Sequence, residues 1–145
     1  MTEAETRRAG YAFHATLDAP LAEAVAQVTA VLKAEGFGVL TTIDVQQTLK
    51  DKIQVEVEPY TILGACNPQL AHRAIQADPN VGLLLPCNVI VYERGGSTTV
   101  SIIDPKDMLS VAAPTEELRA VADEARVRLG RVAEALGGSG VAGAA

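Results

Sequence analysis

The sequence has no tryptophan, only three tyrosines and two phenylalanines, and a deficit of cationic side chains that leaves a net charge of -6. Nucleic-acid binding normally requires a basic stripe that neutralises phosphates, and single strands also require aromatic stacking platforms. The only basic doublet here is Arg7-Arg8. We therefore expect no nucleic-acid partner, and the same acidity disfavours attraction to an anionic membrane surface.

Long apolar runs are also missing. No stretch approaches the roughly 18 residues that span a bilayer, and residues 1–10 are polar, unlike a secretory signal. We expect a cytoplasmic protein with no membrane partner. Two cysteines are too few for a disulfide framework, and in a reducing cytosol Cys66 and Cys87 are expected as free thiols.

What is present is the composition of one globular domain. The chain has 145 residues, of which 48% are hydrophobic and 21% are charged, so it can bury a core without a metal or a disulfide. We assign a single domain to residues 10–136, a flexible tail to residues 1–9, and a flexible, Gly/Ala-rich tail to residues 137–145.

Hydrophobic periodicity predicts five strands and three helices. The expected elements are a strand at 11–17, a helix from Pro20 to Gly36 with Asp18 as its cap, strands at 37–45 and 53–66, and a short helix from Pro68 with Asn67 as its cap. A hairpin of strands 83–93 and 98–103 and a long helix from about Pro114 follow. The two long helices carry the apolar stripes Leu21-Val25-Val28-Leu32 and Leu118-Val121-Ala125-Leu129. Residues 46–52 are compatible with a helix or a loop, and Pro59 interrupts the 53–66 strand. This order indicates an α+β fold with the helices over one face of an antiparallel sheet.

Several motifs together resemble a known family. They are Gly36-Phe37-Gly38, the run from Ile62 to Pro68 that contains Cys66-Asn67-Pro68, the segment Leu85-Pro86-Cys87-Asn88-Val89, and Asp104-Pro105. This combination is similar to the bacterial and archaeal family known as domain of unknown function number 302. The resemblance implies a TATA-box-binding-protein-like fold, with a curved antiparallel sheet and two main helices on one face. It also implies a homodimer, and it brings no established reaction.

The paired Cys-Asn motifs are the principal candidate site. If the sheet brings its strand ends together, Cys66, Asn67, Cys87 and Asn88 line one small polar pocket. In that arrangement the two thiols act as nucleophiles, form a reversible disulfide or bind a soft metal. The alternative is that both cysteines are small, buried hydrophobic residues with no chemical role. A functional thiol should have a lowered pKa, and Cys66 is the better candidate because the helix that opens at Pro68 follows it.

Other titratable residues give weaker signals. Glu93 shares a strand face with Cys87 by period two and is a candidate acid or base with Tyr60 or Tyr92 nearby, or else a solvated carboxylate. His72 is a weak third metal ligand beside Cys66 and Cys87. No cofactor is expected, because the sequence contains no phosphate-loop, nucleophile-elbow or zinc-protease motif.

These observations favour a homodimeric small-ligand-binding or accessory module with a pocket near Cys66 and Cys87. The pocket candidates are Cys66, Asn67, Cys87, Asn88, Tyr60 and Glu93. The alternative is a thiol-based redox, sulfur-transfer or soft-metal-handling protein that uses the same two cysteines.

Overall fold

The computed structural model describes residues 10–138 of the chain. Its elements are β1 (Ala12–Leu17), α1 (Leu21–Ala34), β2 (Gly38–Asp44), α2 (Val45–Ile53), β3 (Tyr60–Cys66), α3 (Pro68–Ala77), a 3₁₀ helix (Pro79–Leu84), β4 (Cys87–Arg94), β5 (Ser97–Ile103), α4 (Pro105–Met108), a 3₁₀ turn (Leu109–Val111) and α5 (Glu116–Ala135). None of the helices within residues 10–138 has the length and hydrophobicity of a membrane span.

The five strands form one antiparallel sheet in the order β1-β5-β4-β3-β2. Strands β4 and β5 are joined at Gly95 and Gly96, which both have positive φ, as the predicted hairpin requires. Alternate side chains of the central strands face inward and are fully buried, including Leu63, Val89 and Val100. This inward face carries the core.

Helices α1 and α5 cover the inward face with the stripes that the sequence predicts. Val28 and Leu32 of α1 and Leu129 and Val132 of α5 have no measurable exposure. Helix α3 adds Leu70 to the same core. The predicted α+β class, with an antiparallel sheet and its helices on one face, is confirmed.

The structure decides one open stretch and contradicts two predictions. Residues 46–52, which were compatible with a helix or a loop, belong to helix α2, which ends where Gln54 adopts a left-handed conformation with φ of 56°. The 53–66 strand is therefore wrong in its first part, and β3 begins only after Pro59, because proline cannot donate to the sheet ladder. Asp18 does not cap α1, whose first residue is Leu21.

The two predicted tails lie mostly outside the described residues, which exclude 1–9 and 139–145. Gly137 and Gly138 are described, and their N–H groups donate to the carbonyls of Glu134 and Ala133. Because Gly137 has a φ of +79°, it adopts the left-handed conformation that often ends helices and closes α5.

Candidate functional site

The two cysteines lie at one end of the sheet. Cys66 is the last residue of β3 and Cys87 is the first residue of β4, and Ala65 is the direct cross-strand partner of Cys87. Both cysteines line one cavity of about 30 Å³ between the sheet and the helices. We call this cavity the thiol pocket.

The walls of the thiol pocket come from every helix that covers the inward face except α1. Its described lining residues are Phe37, Ala65, Cys66, Asn67, Leu70, Ala71, Ala74, Leu85, Pro86, Cys87, Pro105, Met108, Leu109, Val121 and Ala125. None of these residues carries a charge. The pocket therefore offers almost wholly apolar walls, which include the two cysteines, to whatever enters it.

Asn67 holds the start of α3 at the pocket. Its Oδ1 accepts a hydrogen bond from the N–H of Leu70 at 3.0 Å, and Pro68 occupies the first helical turn. The side chain is only 7% exposed because Gly36 lies against it, and a Cβ at Gly36 would come within 2.9 Å of Asn67 Nδ2. Gly36 also has a φ of +84°, so both conformation and space require glycine there. Asn67 therefore has a structural role as a helix cap.

Gly64, on strand β3, is a second position where the available space requires glycine. A Cβ at Gly64 would clash with Thr41 Oγ1 and would lie 2.8 Å from Pro86 Cγ. Glycine at this position therefore lets Pro86, which lines the thiol pocket, approach β3 closely. The motif residues on either side of the cysteines thus shape the pocket.

Burial makes both thiols weaker acids than free cysteine. It raises the pKa of Cys66, which is half-buried, and together with the neighbouring Cys66 it raises the pKa of Cys87 to about 12. A low-dielectric environment disfavours the thiolate, and here this effect outweighs the helix terminus that follows Cys66. The pKa values of both cysteines are thus raised, whereas a functional thiolate was expected to have a lowered pKa. Both thiols are protonated at neutral pH.

Asn88 requires a correction, because it does not join the thiol pocket. Successive strand residues point to opposite faces, so Cys87 faces inward and Asn88 faces outward. Asn88 is exposed and lines a groove on the outward face with His14 and Ser101, which are joined by a 2.9 Å contact between Nδ1 and Oγ.

Tyr60 and Glu93 also lie away from the thiols. Tyr60 pairs with Tyr92 five positions along from Ala65–Cys87, a distance of about 16 Å at the usual strand rise. The two tyrosine rings stack with centroids 5.4 Å apart and an interplanar angle of 15°. Of the six candidates, the structure therefore groups Cys66, Asn67 and Cys87 and separates the other three.

Glu93 has a local role that its sequence position did not reveal. Its Oε2 accepts a hydrogen bond from the N–H of Leu21 at 2.9 Å and so caps α1 from a distant strand. Its cross-strand partner Thr98 donates its hydroxyl to the carbonyl of Ala19 at 2.6 Å. Together these two hydrogen bonds hold the β1–α1 connection in place. Glu93 thus supplies the helix cap that was expected of Asp18.

We expect Glu93→Ala to lower the free energy of unfolding by about 1 kcal/mol, because it leaves the N–H of Leu21, the first residue of α1, without its side-chain acceptor. Urea denaturation followed by circular dichroism measures this change. Glu93→Gln is the matched control, since its amide oxygen still accepts the hydrogen bond and should restore most of the stability. An Ala variant as stable as the unmodified protein would contradict the capping role.

His72 does not complete a metal site with the cysteines. It is exposed on α3, and residues 10–138 contain no group of three or more His, Cys, Asp or Glu side chains placed to hold a metal ion.

Helix α4, which was not predicted from the sequence, supplies Pro105 and Met108 to the thiol pocket. The signal was present, because Asp104-Pro105 repeats the cap-and-proline pattern of Asn67-Pro68. Asp104 Oδ1 accepts from the N–H of Lys106 at 2.9 Å, and Oδ2 lies 3.1 Å from Arg126 Nε. With Asp104 only 2% exposed, this ion pair fixes α4 against α5 at the pocket.

The family is decided by comparison with known sequences. The profile described as "Domain of unknown function DUF302" matches residues 13–136. This chain belongs to the DUF302 family. It is also similar to the crystal structure of an uncharacterised conserved DUF302 protein from Bacillus stearothermophilus, with 28% sequence identity and a TM-score of 0.79, over 87% of this chain and 98% of that one. A comparison with curated proteins finds no match.

The DUF302 assignment confirms the resemblance drawn from the paired Cys-Asn motifs. In this DUF302 domain the two motifs are not equivalent. Both residues of Cys66-Asn67 line the thiol pocket, whereas in Cys87-Asn88 only the cysteine lines it and the asparagine lines the groove on the opposite face.

Proposed function

We propose that this DUF302 protein is a small-ligand-binding or accessory module that accommodates a compact, uncharged group in the thiol pocket. The observation that carries the proposal is a cavity with almost wholly apolar walls, beside which burial keeps Cys66 and Cys87 as neutral thiols. Pockets of this kind recognise shape and a few polar contacts.

The size and charge of the pocket narrow the ligand class. A volume of about 30 Å³ holds only a water-sized group or two, since one water needs roughly 10–15 Å³ by this measure. No charged residue lines the described walls, so an anionic group would lose its hydration without gaining a partner. A methyl, thioether or short alkyl group at the end of a ligand fits this chemistry.

We expect a panel of short uncharged thioethers, alcohols and alkanes to perturb amide resonances of Cys66, Ala71 and Cys87 in two-dimensional NMR spectra. Ala71→Leu places a larger side chain in the pocket and should reduce these perturbations at least about tenfold at equal ligand concentration. Ala77→Leu is the matched control, because Ala77 is exposed at the end of the same helix.

Perturbations that cluster elsewhere, or that survive Ala71→Leu unchanged, would contradict binding at the thiol pocket. Native mass spectrometry of freshly purified protein complements the titration by detecting a retained ligand.

A thiol-based activity is the second candidate, and the observation that favours it is that both cysteines line one pocket. The raised pKa values oppose it near neutral pH, where the nucleophilic thiolate is scarce. Cys66→Ser and Cys87→Ser separate the two candidates. Ligand binding should survive either substitution with a modest loss, whereas a redox, sulfur-transfer or soft-metal activity would be abolished.

We also propose that the module is a cytoplasmic homodimer. The family resemblance supports self-association, and β1 and β2 are edge strands whose free backbone groups need cover. Two free cysteines are typical of a reducing compartment.

A further inference from the structure

The outward face of the sheet carries all three tyrosines of the chain, whereas both phenylalanines are buried in the core. Two grooves of about 520 and 370 Å³ lie on this face, and Ile90 and Tyr92 line both of them. Tyr60 lines only the larger groove, which borders α2. The smaller groove extends over β5 and β1 to Tyr11, and we call it the tyrosine groove.

The stacked tyrosine pair is open on the side of the tyrosine groove. Tyr60 and Tyr92 are direct cross-strand partners on β3 and β4, so their stack runs across the strands. The centroid separation of 5.4 Å is close to the usual strand spacing of about 4.8 Å. The next position along this line lies over Thr99, the partner of Tyr92 on β5, which supplies no ring. Tyr60 therefore covers one face of the Tyr92 ring, and the other face borders the tyrosine groove.

Tyr11 bounds the tyrosine groove on its far side. It precedes the edge strand β1 and is 59% exposed. Burial raises the pKa of Tyr60, and the nearby hydroxyls of Tyr92 and Tyr11 raise it further. Because Tyr11 acts on a residue three strands away, its side chain extends over the sheet towards the stacked pair. A flat molecule in the groove would thus lie between Tyr11 and the open face of Tyr92.

The polar groups of the tyrosine groove suit a neutral ligand. Asn88 offers an amide that both donates and accepts hydrogen bonds, and Ser101 offers a hydroxyl that lies 2.9 Å from His14 Nδ1. None of the described residues that line this groove is Asp, Glu, Lys or Arg. A phosphate or carboxylate would lose hydration there without gaining a cationic partner, whereas the N–H and C=O groups of a neutral heterocycle would find partners.

We propose that the tyrosine groove binds a neutral, planar heteroaromatic molecule, which stacks on the open face of Tyr92 and forms hydrogen bonds with Asn88 and Ser101. The ligand adds a third ring to the existing stack, and offset stacking at such separations is favourable beyond the area that it buries. Ile90 supplies an apolar floor. This site is separate from the thiol pocket, which lies on the opposite side of the sheet, and it does not depend on the function proposed for that pocket.

Two matched ligands test whether planarity decides binding. Carbostyril is a neutral, planar bicyclic lactam, and its fully saturated analogue keeps the same lactam N–H and C=O but has no aromatic ring. We expect carbostyril to bind with a dissociation constant of about 1 mM or lower, and to shift the ring resonances of Tyr92 and the amide resonance of Ser101 in NMR spectra. The saturated lactam should bind at least about fivefold more weakly, because it cannot stack.

Three variants locate the site. Tyr92→Leu keeps an apolar side chain but removes the ring, and it should weaken carbostyril binding about tenfold. Tyr60→Leu is the matched control, because it removes the ring on the covered side of Tyr92 and should change the affinity by no more than about threefold. Ala71→Leu fills the thiol pocket and should leave carbostyril binding unchanged. Circular dichroism establishes that each variant keeps its fold.

Four results would overturn the proposal. They are equal affinity for carbostyril and its saturated analogue, an equal loss of affinity in Tyr60→Leu and Tyr92→Leu, a loss of binding in Ala71→Leu, and a dimer that dissociates in sedimentation as carbostyril is added. The last result would assign the tyrosine groove to a second copy of the chain. The comparison of the two lactams uses the unmodified protein, so it decides the question even if Tyr92→Leu fails to fold. Ligand binding at the thiol pocket is unaffected by any outcome at Tyr92.

Discussion

Leu129→Ala is expected to lower the free energy of unfolding by about 2–5 kcal/mol. Leu129 has no measurable exposure, and it lies in the buried stripe of α5 that covers the inward sheet face. Removing its side-chain methyl groups loses their burial and leaves a cavity that surrounding close-packed residues fill only in part. Urea denaturation followed by circular dichroism gives the difference directly.

Val127→Ala is the control for this prediction, since Val127 lies two residues earlier in the same helix and is 57% exposed. It should change the stability by no more than about 0.5 kcal/mol. A Leu129→Ala loss below that same limit would mean that α5 does not pack on the sheet as described.

The second large effect is an expected loss of folding stability at alkaline pH that depends on Cys87. The pKa of Cys87 is about 12 in the folded protein against an ordinary value of 9.0, so between these values the folded state retains a proton that the unfolded state releases. Stability from this group is complete below pH 9 and falls as the pH rises towards 12, by about 1.4 kcal/mol per pH unit. Over the full interval the loss approaches about 4 kcal/mol.

Cys87→Ala isolates this contribution from lysine and tyrosine titration. We expect denaturation curves at pH 7 to 10.5 to show a steeper loss of stability above pH 8 for the unmodified protein than for Cys87→Ala, with equal dependence on pH below pH 8. In the folded protein Cys87 should also resist iodoacetamide at neutral pH and become reactive on unfolding. Parallel slopes throughout, or rapid labelling of folded Cys87, would mean that the thiol is not held in a desolvated site.

Part of the thiol pocket could be predicted from the paired Cys-Asn motifs in the sequence. Cys66 closes one strand and Cys87 opens a neighbouring one, so their proximity followed from antiparallel pairing of consecutive elements. The inclusion of Asn88 did not follow, because strand alternation places it opposite Cys87. The pKa directions depend on how many helices cover the strand ends, and the unpredicted helix α4 is one of them.

Glu93 illustrates the same limit. The face that it shares with Cys87 and Val89 was evident from period two, but its hydrogen bond joins residues 72 positions apart. No local pattern identifies which helix N-terminus a distant carboxylate will reach. From the sequence Glu93 was therefore expected to be a general acid or base, or a solvated carboxylate, whereas in the structure it caps a helix.

What the sequence determined by itself is therefore local. The stripes of α1 and α5, the Gly95-Gly96 hairpin and the Asn67-Pro68 cap depend on residues within a few positions of each other, where periodicity and backbone preference act directly. Tertiary structure alone decided which strand ends meet, how deeply Cys66 and Cys87 are buried, and which apolar surfaces stay open. Those properties depend on contacts between residues far apart in the chain, whose strength comes from burial, and burial is a property of the whole assembled fold.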